Sequence, residues 1–369
     1  MNKYRFAERK EAIRRGLNSI YRTACDPDNF EEYGYDYLCC FLTIAETSLD
    51  PKLRQKSRRM GRERALEWLR QNAKLPRRTD MMTLLTLLMG SGAAERLGVR
   101  DEWLREQICK RVRRLTARDC YEFDPVIEAP PDDIPEACDC GAGNERGRTR
   151  CRKCRRKLAM TGRYGAWLDA VIWSYTGERY GAKVGSRYWD AIKWLPAMRP
   201  YRGREDGANP DFYNTVYAIT HVVYTLNDYN AYTLSPKWLP EEFRFLKNNL
   251  KEAIAEDDPD MMGEFLDTLR AFGLKDSHPV IRKGMDYLLS HQNSDGSWGD
   301  VNAENIYLRH HPTWTAIDGL RAYRWQGPRL GFPELEPLLK TWAAKEGERV
   351  VNRLKPLPSA ALPHGLFKR

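Results

Sequence analysis

The stretch that decides the fold is IRKGMDYLLSHQNSDGSWGD, residues 281–300. It begins within an amphipathic segment, 278–292, whose apolar residues recur every three or four positions. This spacing predicts a helix with one buried face. Asn293–Ser294–Asp295–Gly296 then supplies residue types that form tight turns. A more apolar segment follows over 312–325. The stretch therefore predicts an outer helix, a turn and a buried inner helix in succession.

The same alternation continues outward along the chain. Six segments are apolar or aromatic on most faces: 35–49, 80–96, 163–177, 211–227, 260–273 and 312–325. Each is followed by a charged amphipathic segment: 55–73, 101–116, 184–196, 240–256, 278–292 and 334–350. A helix that is apolar all round is buried, whereas one with a polar face lies outside. Six such pairs predict an all-α (α/α)6 toroid, and the alternative is an open solenoid of helix pairs.

The pairing also predicts how the chain is divided. We expect an N-terminal helical arm over 1–30, a single (α/α)6 barrel over 31–350 and a C-terminal tail over 351–369. The longer gap between the second and third pairs, residues 125–160, contains four cysteines and is expected to be an insertion within the barrel. A length of 369 residues fits two to three domains or one large repeat-built domain.

Composition and charge limit the classes of protein. Hydrophobic residues make up 42% of the chain and charged residues 30%, which predicts a packed core and argues against disorder. Lys and Arg total 61 against 51 Asp and Glu, and the net charge of +10 favours an anionic partner. The sequence has no run of 18 apolar residues, so we expect no membrane span. The charged N-terminus does not resemble a secretory signal. With nine cysteines, an odd number, we expect a cytoplasmic protein with free thiols and a metal site.

Residues 281–300 resemble the QW repeat of terpenoid cyclases and protein prenyltransferase β-subunits. The resemblance rests on Gln292, Gly296 and Trp298 and on the helical residues before them. It implies the (α/α)6 toroid that those families share, in which the Gln side chain and the Trp ring lock the end of an outer helix to the turn before the next inner helix. One good copy of the repeat is present.

The catalytic strings of those families are altered in this chain. Class II terpene cyclases use an Asp-x-Asp-Asp acid, and the nearest string here is EDDPD at 256–260, which instead predicts a helix start with Asp258 as cap and Pro259 at the first position. Prenyltransferases hold zinc with an Asp, a Cys and a His, the His in a DFYHTCY-like string. Residues 211–217 read DFYNTVY, with Asn214 in place of that His. Prenyl or terpenoid chemistry is therefore an alternative function.

A cysteine knuckle is the clearest metal signal. Two close cysteine pairs lie ten residues apart: Cys138, Cys140, Cys151 and Cys154. This spacing predicts a structural, four-cysteine zinc site, and coincidental thiols are the alternative. Eight Lys and Arg residues lie over 146–157. They favour either a solvated loop or docking of an acidic partner, and nucleic acid is unlikely because no aromatic residue interleaves them.

Polar residues recur at helical spacing on three consecutive inner helices, where packing alone would favour apolar ones. They are Asn214, Tyr217, His221, Tyr224 and Asp228 on the first, Asp260, Glu264 and Asp267 on the second, and His311, Thr315 and Asp318 on the third. Neighbouring helices stand about 8–10 Å apart, so these side chains are expected to converge in the central cavity.

Two chemistries follow from that convergence. His221, His311 and Glu264 are the residue types of an open Fe or Zn site, with Asp267 or Asp318 orienting the ligands. Without a metal, the same groups are expected to act as general acid and base.

Each of these residues also has an ordinary structural explanation. His221 suits a satisfied core histidine, and His311 a helix entry turn. Glu264 and Asp267 would then pair with Arg270 or Arg282. Tyr217 and Tyr224 are expected to line the cavity, either stabilising a cation or packing as core.

These observations favour an enzyme with a polar, aromatic-lined cavity. Its expected substrate is a small molecule, a carrier-linked unit or a peptide, and its chemistry is expected to be metal-assisted. The chain contains no P-loop, dinucleotide fingerprint or GxSxG elbow. The remaining alternative is a non-catalytic binding scaffold.

Overall fold

The structure, a computed structural model, describes residues 3–75, 79–204 and 209–354. It is mainly helical, as predicted, and its only two-stranded sheet in those residues pairs β1 (Ile134–Pro135) with β2 (Met160–Thr161). None of the helices in this part of the chain has the length and apolarity needed to cross a membrane. Of the predicted C-terminal tail, residues 355–369 lie outside the described residues.

The described helices follow one another as α1 (Lys3–Ala24), α2 (Pro27–Thr47), α3 (Pro51–Gln71), α4 (Met81–Arg96), α5 (Glu102–Val112), α6 (Ala117–Tyr121), α7 (Arg163–Tyr180), α8 (Tyr188–Ile192), α9 (Leu195–Met198), α10 (Phe212–Leu226), α11 (Pro240–Ala255), α12 (Pro259–Ala271), α13 (Pro279–Ser290), α14 (Tyr307–Leu320) and α15 (Glu336–Leu354). A 3-10 turn, Pro333–Leu335, precedes α15.

Six of these helices contact one another in a closed order. α2 packs against α4, α4 against α7, α7 against α10, α10 against α12 and α12 against α14, and α14 returns to α2. They are the helices of the six apolar segments. The remaining long helices flank this cycle: α3 contacts α2 and α4, α5 contacts α4, α11 contacts α12, and α13 contacts α12 and α14.

The two ends of the chain differ in how they join the cycle. The predicted helical arm over 1–30 comprises α1 and the start of α2, and α1 packs against both α14 and α2. Ile13, Leu17 and Ile20, three or four positions apart, form its buried face. α15 instead packs against the 3-10 turn before it.

Residues 281–300 connect three helices. Gln292 Nε2 donates to Ala12 O of α1 at 2.8 Å. Trp298 is fully buried, and its Nε1 donates to Leu288 O of α13 at 2.7 Å while its backbone N–H donates to Thr313 Oγ1 of α14 at 2.9 Å. The stretch therefore holds the end of an outer helix against the inner helix that follows it.

The start of α12 places the polar residues of that helix. Asp258 caps it, accepting a hydrogen bond from the backbone N–H of Met261 at 3.0 Å, and Pro259 occupies the first turn, as predicted. From this start, Asp260, Glu264 and Asp267 fall at steps of four and three and share one face of the helix.

Candidate active site and metal site

The cycle of helices surrounds a cavity of about 410 Å³, lined by residues of α2, α4, α7, α10 and α14. A smaller recess of about 50 Å³ adjoins it between α10, α12 and α14. We call this recess the floor. The two spaces share Thr43, His221, Tyr229, His311 and Trp314, and the floor also includes Tyr224, Asn230, Glu264, Asp267, Thr315 and Asp318. Most of the predicted polar residues thus line one connected space.

The wall of the larger cavity is aromatic and balanced in charge. Its rings are Tyr35, Trp173, Tyr175, Tyr180, Tyr229, Tyr307 and Trp314. Three arginines also line it, and each is paired with a carboxylate: Arg96 with Glu46, Arg105 with Glu95 and Arg179 with Asp228. The wall therefore offers flat apolar faces without excess charge.

His311 and Asp260 form a buried ion pair. His311 Nδ1 lies 3.0 and 3.2 Å from the two carboxylate oxygens of Asp260, and Tyr217 Oη donates to Asp260 at 3.1 Å. Burial opposes the charge on His311, but the charge and hydrogen bond of Asp260 outweigh it and raise the histidine pKa to about 10. Burial likewise opposes the charge on Asp260, and His311 nevertheless holds the carboxyl pKa below its usual value.

His221 has the opposite protonation state. Its Nδ1 lies 2.9 Å from Tyr217 O, and because a carbonyl only accepts, Nδ1 carries the proton. Nε2 then has a lone pair and no hydrogen-bond partner among the described residues. Burial, aided by the charge of His311, lowers the His221 pKa to about 4 despite its hydrogen bond to Tyr217 O. At neutral pH His221 is neutral and His311 is charged.

Glu264 is a buried carboxylic acid on the floor. Thr220 Oγ1 donates to one oxygen at 2.5 Å, and the other oxygen has no hydrogen-bond partner in the described part of the chain. Burial and the nearby charge of Asp260 raise the Glu264 pKa well above its usual value. Its surroundings therefore favour the protonated form of this side chain.

Asp267 and Asp318 lie side by side but have unequal partners. Asp318 accepts from Arg321 Nε at 2.6 Å and from Trp314 Nε1 at 3.0 Å. Asp267 accepts at one oxygen from Asn230 Nδ2 at 2.7 Å, whereas its buried Oδ1 has no partner. Burial and the charge of Asp318 raise the Asp267 pKa to about 7.

The three predicted metal ligands of the cavity share the floor without forming a ligand set. Among the described residues, the four cysteines alone meet the distance requirement for holding a metal ion. His221, His311 and Glu264 instead bind Tyr217, Asp260 and Thr220.

The structure places Arg270 and His311 differently from the structural alternatives to a metal site. Arg270, the predicted partner of Glu264 or Asp267, binds Asp276 and the carbonyl of Gly319. His311 lies within α14 rather than at its entry, because that helix begins at Tyr307.

Sequence reasoning missed three contributors to the site. Arg321 follows α14 and Asn230 follows α10, so neither belongs to a helical stripe. His310 Nε2 donates to the carboxylate of Asp36, which lines the cavity, at 2.7 Å. The spacing of Asp260, four residues before Glu264, placed it on the polar face of α12, but its pairing with His311 was not predicted.

The cysteine knuckle is compact. The Sγ atoms of Cys138 and Cys154, Cys138 and Cys140, and Cys140 and Cys151 are each 3.5 Å apart, and all four lie within 4.8 Å of one another. A tetrahedral ion with metal–sulfur bonds of about 2.3 Å requires sulfur separations of roughly 3.8 Å. The four thiols could therefore hold a metal ion, as predicted.

The thiols of the knuckle differ in acidity. The backbone N–H of Cys154 is the main cause that lowers the Cys151 pKa to about 6, and the backbone N–H of Lys153 contributes. Cys138 is affected most by the N–H of Cys140, which lowers its pKa, but hydrogen bonds from the neighbouring thiols together raise it to about 12. One thiolate therefore exists near neutral pH before any metal binds, which favours metal capture.

Contacts within the insertion close the knuckle at its base. β1 and β2 pair antiparallel beneath it, and Arg146 binds Asp133 at 2.5 Å and Glu128 at 2.9 Å. The remaining cationic residues of the segment are exposed: Arg148, Arg150, Arg152, Lys153, Arg155, Arg156 and Lys157. The metal site thus lies outside the cavity and has no ligand position shared with it.

Comparison with known proteins adds no relative. No family model, no curated protein and no solved structure matches this chain.

Proposed function

We propose that the closed order of helices is an (α/α)6 toroid and that its cavity is the active site of an enzyme using general acid–base catalysis. The support for the toroid is the cycle from α2 through α14 back to α2, with α3, α5, α11, α13 and α1 flanking it. The substrate is a small molecule, or a carrier-linked or peptide unit that enters the cavity.

The observation that carries the catalytic proposal is the pair of histidines in opposite protonation states on one floor. His311 presents a charged imidazolium whose Nδ1–H is held by Asp260, which leaves Nε2–H as the donor. His221 presents a bare Nε2 as the acceptor. A fixed donor and a fixed acceptor against one small space are what a proton-transfer reaction requires.

The surroundings support the same assignment. Asp260 orients His311 and stabilises its charge, and Tyr217 in turn donates to Asp260. Glu264 adds a carboxylic acid whose protonated form is favoured by burial. Buried groups whose pKa values are displaced in opposite directions by specific partners are typical of functional sites. The reaction class that fits is proton transfer to or from substrate, as in isomerisation, elimination or addition.

For the knuckle we propose zinc in a structural role. Four thiolate ligands in a tetrahedral arrangement suit zinc, and a site with four protein ligands leaves no open position for a substrate. Its exposed basic residues are proposed to contact an acidic partner. The structural role rests on the short β1–β2 pair, which alone offers little to hold the segment.

The test is turnover of a small-molecule extract from the organism that encodes the protein. We expect mass spectrometry to detect a substrate consumed and a product formed with the wild type, and at least a 100-fold slower conversion with His311→Gln. His291→Gln, at the exposed end of α13 outside the cavity, is the matched control and should retain conversion. Equal conversion by His311→Gln and the wild type would contradict the acid–base assignment.

A further inference from the structure

One acceptor on the floor lacks a donor. Asp267 is 1% exposed, and its Oδ1 has no hydrogen-bond partner. No donor of the chain makes a hydrogen bond to this oxygen: Asn230 binds the other oxygen of Asp267, and Arg321 Nε binds Asp318 while its Nη2 makes no hydrogen bond. Tyr323 also lies beside Asp267, but its single Oη–H is donated to the carbonyl of Asp318 at 2.9 Å. A buried acceptor without a donor destabilises the fold, so this position suits a donor from outside the chain.

The floor also has more carboxyl groups than cations. Four carboxyl groups meet there or directly beside it: Asp260, Glu264, Asp267 and Asp318. Two cations accompany them, and each is bound to one carboxylate, His311 to Asp260 and Arg321 to Asp318. Glu264 and Asp267 therefore have no cationic partner of their own.

Aromatic rings also line the floor. The rings of Tyr224 and Tyr229 stack with centroids 5.8 Å apart, and Trp314 lies on the same recess. Aromatic faces attract cations, most strongly where water is excluded. A recess of about 50 Å³ is little larger than the roughly 30 Å³ that one water occupies in the liquid. It suits a compact ammonium group.

We propose that the floor binds the protonated primary amine of the substrate, between Glu264 and Asp267, while the rest of the substrate lies along the aromatic wall. An ammonium group has three donors, enough for the free oxygens of Glu264 and Asp267 and for the bare Nε2 of His221. The inference rests on the proposed function only in taking the cavity as the place where substrate binds.

Binding of the amine also changes the protonation of the floor. Glu264 faces Asp260, His311 and Thr220, and Asp267 faces Asp318, Arg321, Tyr323 and Asn230. An ammonium ion between the two carboxyl groups favours their charged forms, so both give up protons when it binds. The proton release distinguishes this site from a recess that merely accommodates an apolar group.

The probe pair is 2-phenylethylammonium and 2-phenylethanol, which share a ring and a chain but differ in charge. Isothermal titration calorimetry on the full chain at pH 7 should show the amine binding at least tenfold more tightly than the alcohol. Titration in two buffers of different ionisation enthalpy should show proton release with the amine and none with the alcohol.

Three variants locate the binding. Asp267→Asn and, separately, Glu264→Gln should reduce the preference for the amine at least tenfold, and circular dichroism and melting confirm that each folds. Glu11→Gln is the matched control, since Glu11 lies on the exposed face of α1 and does not line the cavity or the floor, and it should leave the preference unchanged.

Equal binding of the two probes, no binding of either, or an unchanged preference in both floor variants would overturn the inference. Amine binding with proton release but no turnover of any extract component would contradict the proposed catalysis and leave the amine site standing. Turnover without a preference for the amine would contradict the amine site and leave the proposed catalysis standing.

Discussion

The cysteine knuckle and the cavity floor each bring four acidic groups together, but they neutralise them differently. In the knuckle, three pairs of sulfur atoms are 3.5 Å apart and all four atoms lie within 4.8 Å of one another. Four thiolates this close would need a metal ion between them. On the floor, His311 and Arg321 neutralise Asp260 and Asp318. Glu264 and Asp267 have no such cation, and their raised pKa values favour the protonated, neutral forms.

This difference predicts how each region fails. The metal would be shared by all four thiols, so loss of one ligand removes the neutralising charge from the whole knuckle. The floor is neutralised group by group, by separate side chains and separate protons. It should therefore respond in steps, according to which partner is removed and to the pH.

The largest effect is expected at the knuckle. Cys151→Ser should release the bound metal entirely, because the remaining three thiols lack the tetrahedral closure that makes a structural site tight. Elemental analysis should find one zinc per chain in the wild type and none in the variant, and limited proteolysis should then cut within 136–158. The control, Cys25→Ser, changes an exposed thiol remote from the cluster and should retain the metal. Wild-type protein without metal would refute the zinc assignment.

The next largest effect is expected on the floor. Arg321→Met should lower the free energy of unfolding by about 3–5 kcal/mol, because it leaves Asp318 buried without its cation. Arg321 is 1% exposed and also donates to Ser48 at 3.1 Å. Arg96→Met removes a half-exposed arginine from the wall and should cost about 1 kcal/mol or less. Equal losses in the two variants, measured by denaturant unfolding, would mean that the floor does not depend on its internal cations.

The same contrast explains which features the sequence made predictable. The knuckle ligands lie within residues 138–154, so their spacing alone identifies the cluster. The inner helices can also be predicted from the local sequence, because apolar residues fill most of their faces. The pairing of segments predicts α1 only as an arm. Its residues Ile13, Leu17 and Ile20 nevertheless have the helical spacing of a packed face.

The floor was predictable only in part. Helical spacing selected His221, Glu264 and His311 as residues of one cavity, and they do line it. Spacing could not show that His311 turns to Asp260 rather than to a shared metal, because that choice depends on side-chain rotamers on two helices. Arg321 lies beyond the end of α14, so no periodicity connects it to the site.

A smaller effect, with a characteristic pH dependence, is expected for Asp267. Its folded pKa is about 7 against the usual value of 3.8, so the folded state favours the protonated form. The destabilisation from this group is absent below about pH 4 and grows as the pH rises towards 7. Asp267→Asn should therefore unfold at a higher urea concentration than the wild type at pH 8, and the advantage should shrink by pH 4. A variant advantage that grows as the pH falls would contradict this assignment.

The smallest effect is expected for Glu264→Gln at pH 7. The raised pKa of Glu264 favours its neutral carboxyl form, which has nearly the same shape as the amide of Gln and likewise lacks charge. The amide oxygen can still accept the hydrogen bond from Thr220, so the free energy of unfolding should change by about 1 kcal/mol or less. His311→Gln is the contrasting variant, since it leaves Asp260 as an unpaired buried carboxylate and should cost about 3–5 kcal/mol. If Glu264→Gln proved as costly as His311→Gln in denaturant unfolding at pH 7, Glu264 would be charged and paired, and the floor would be neutralised by cations alone.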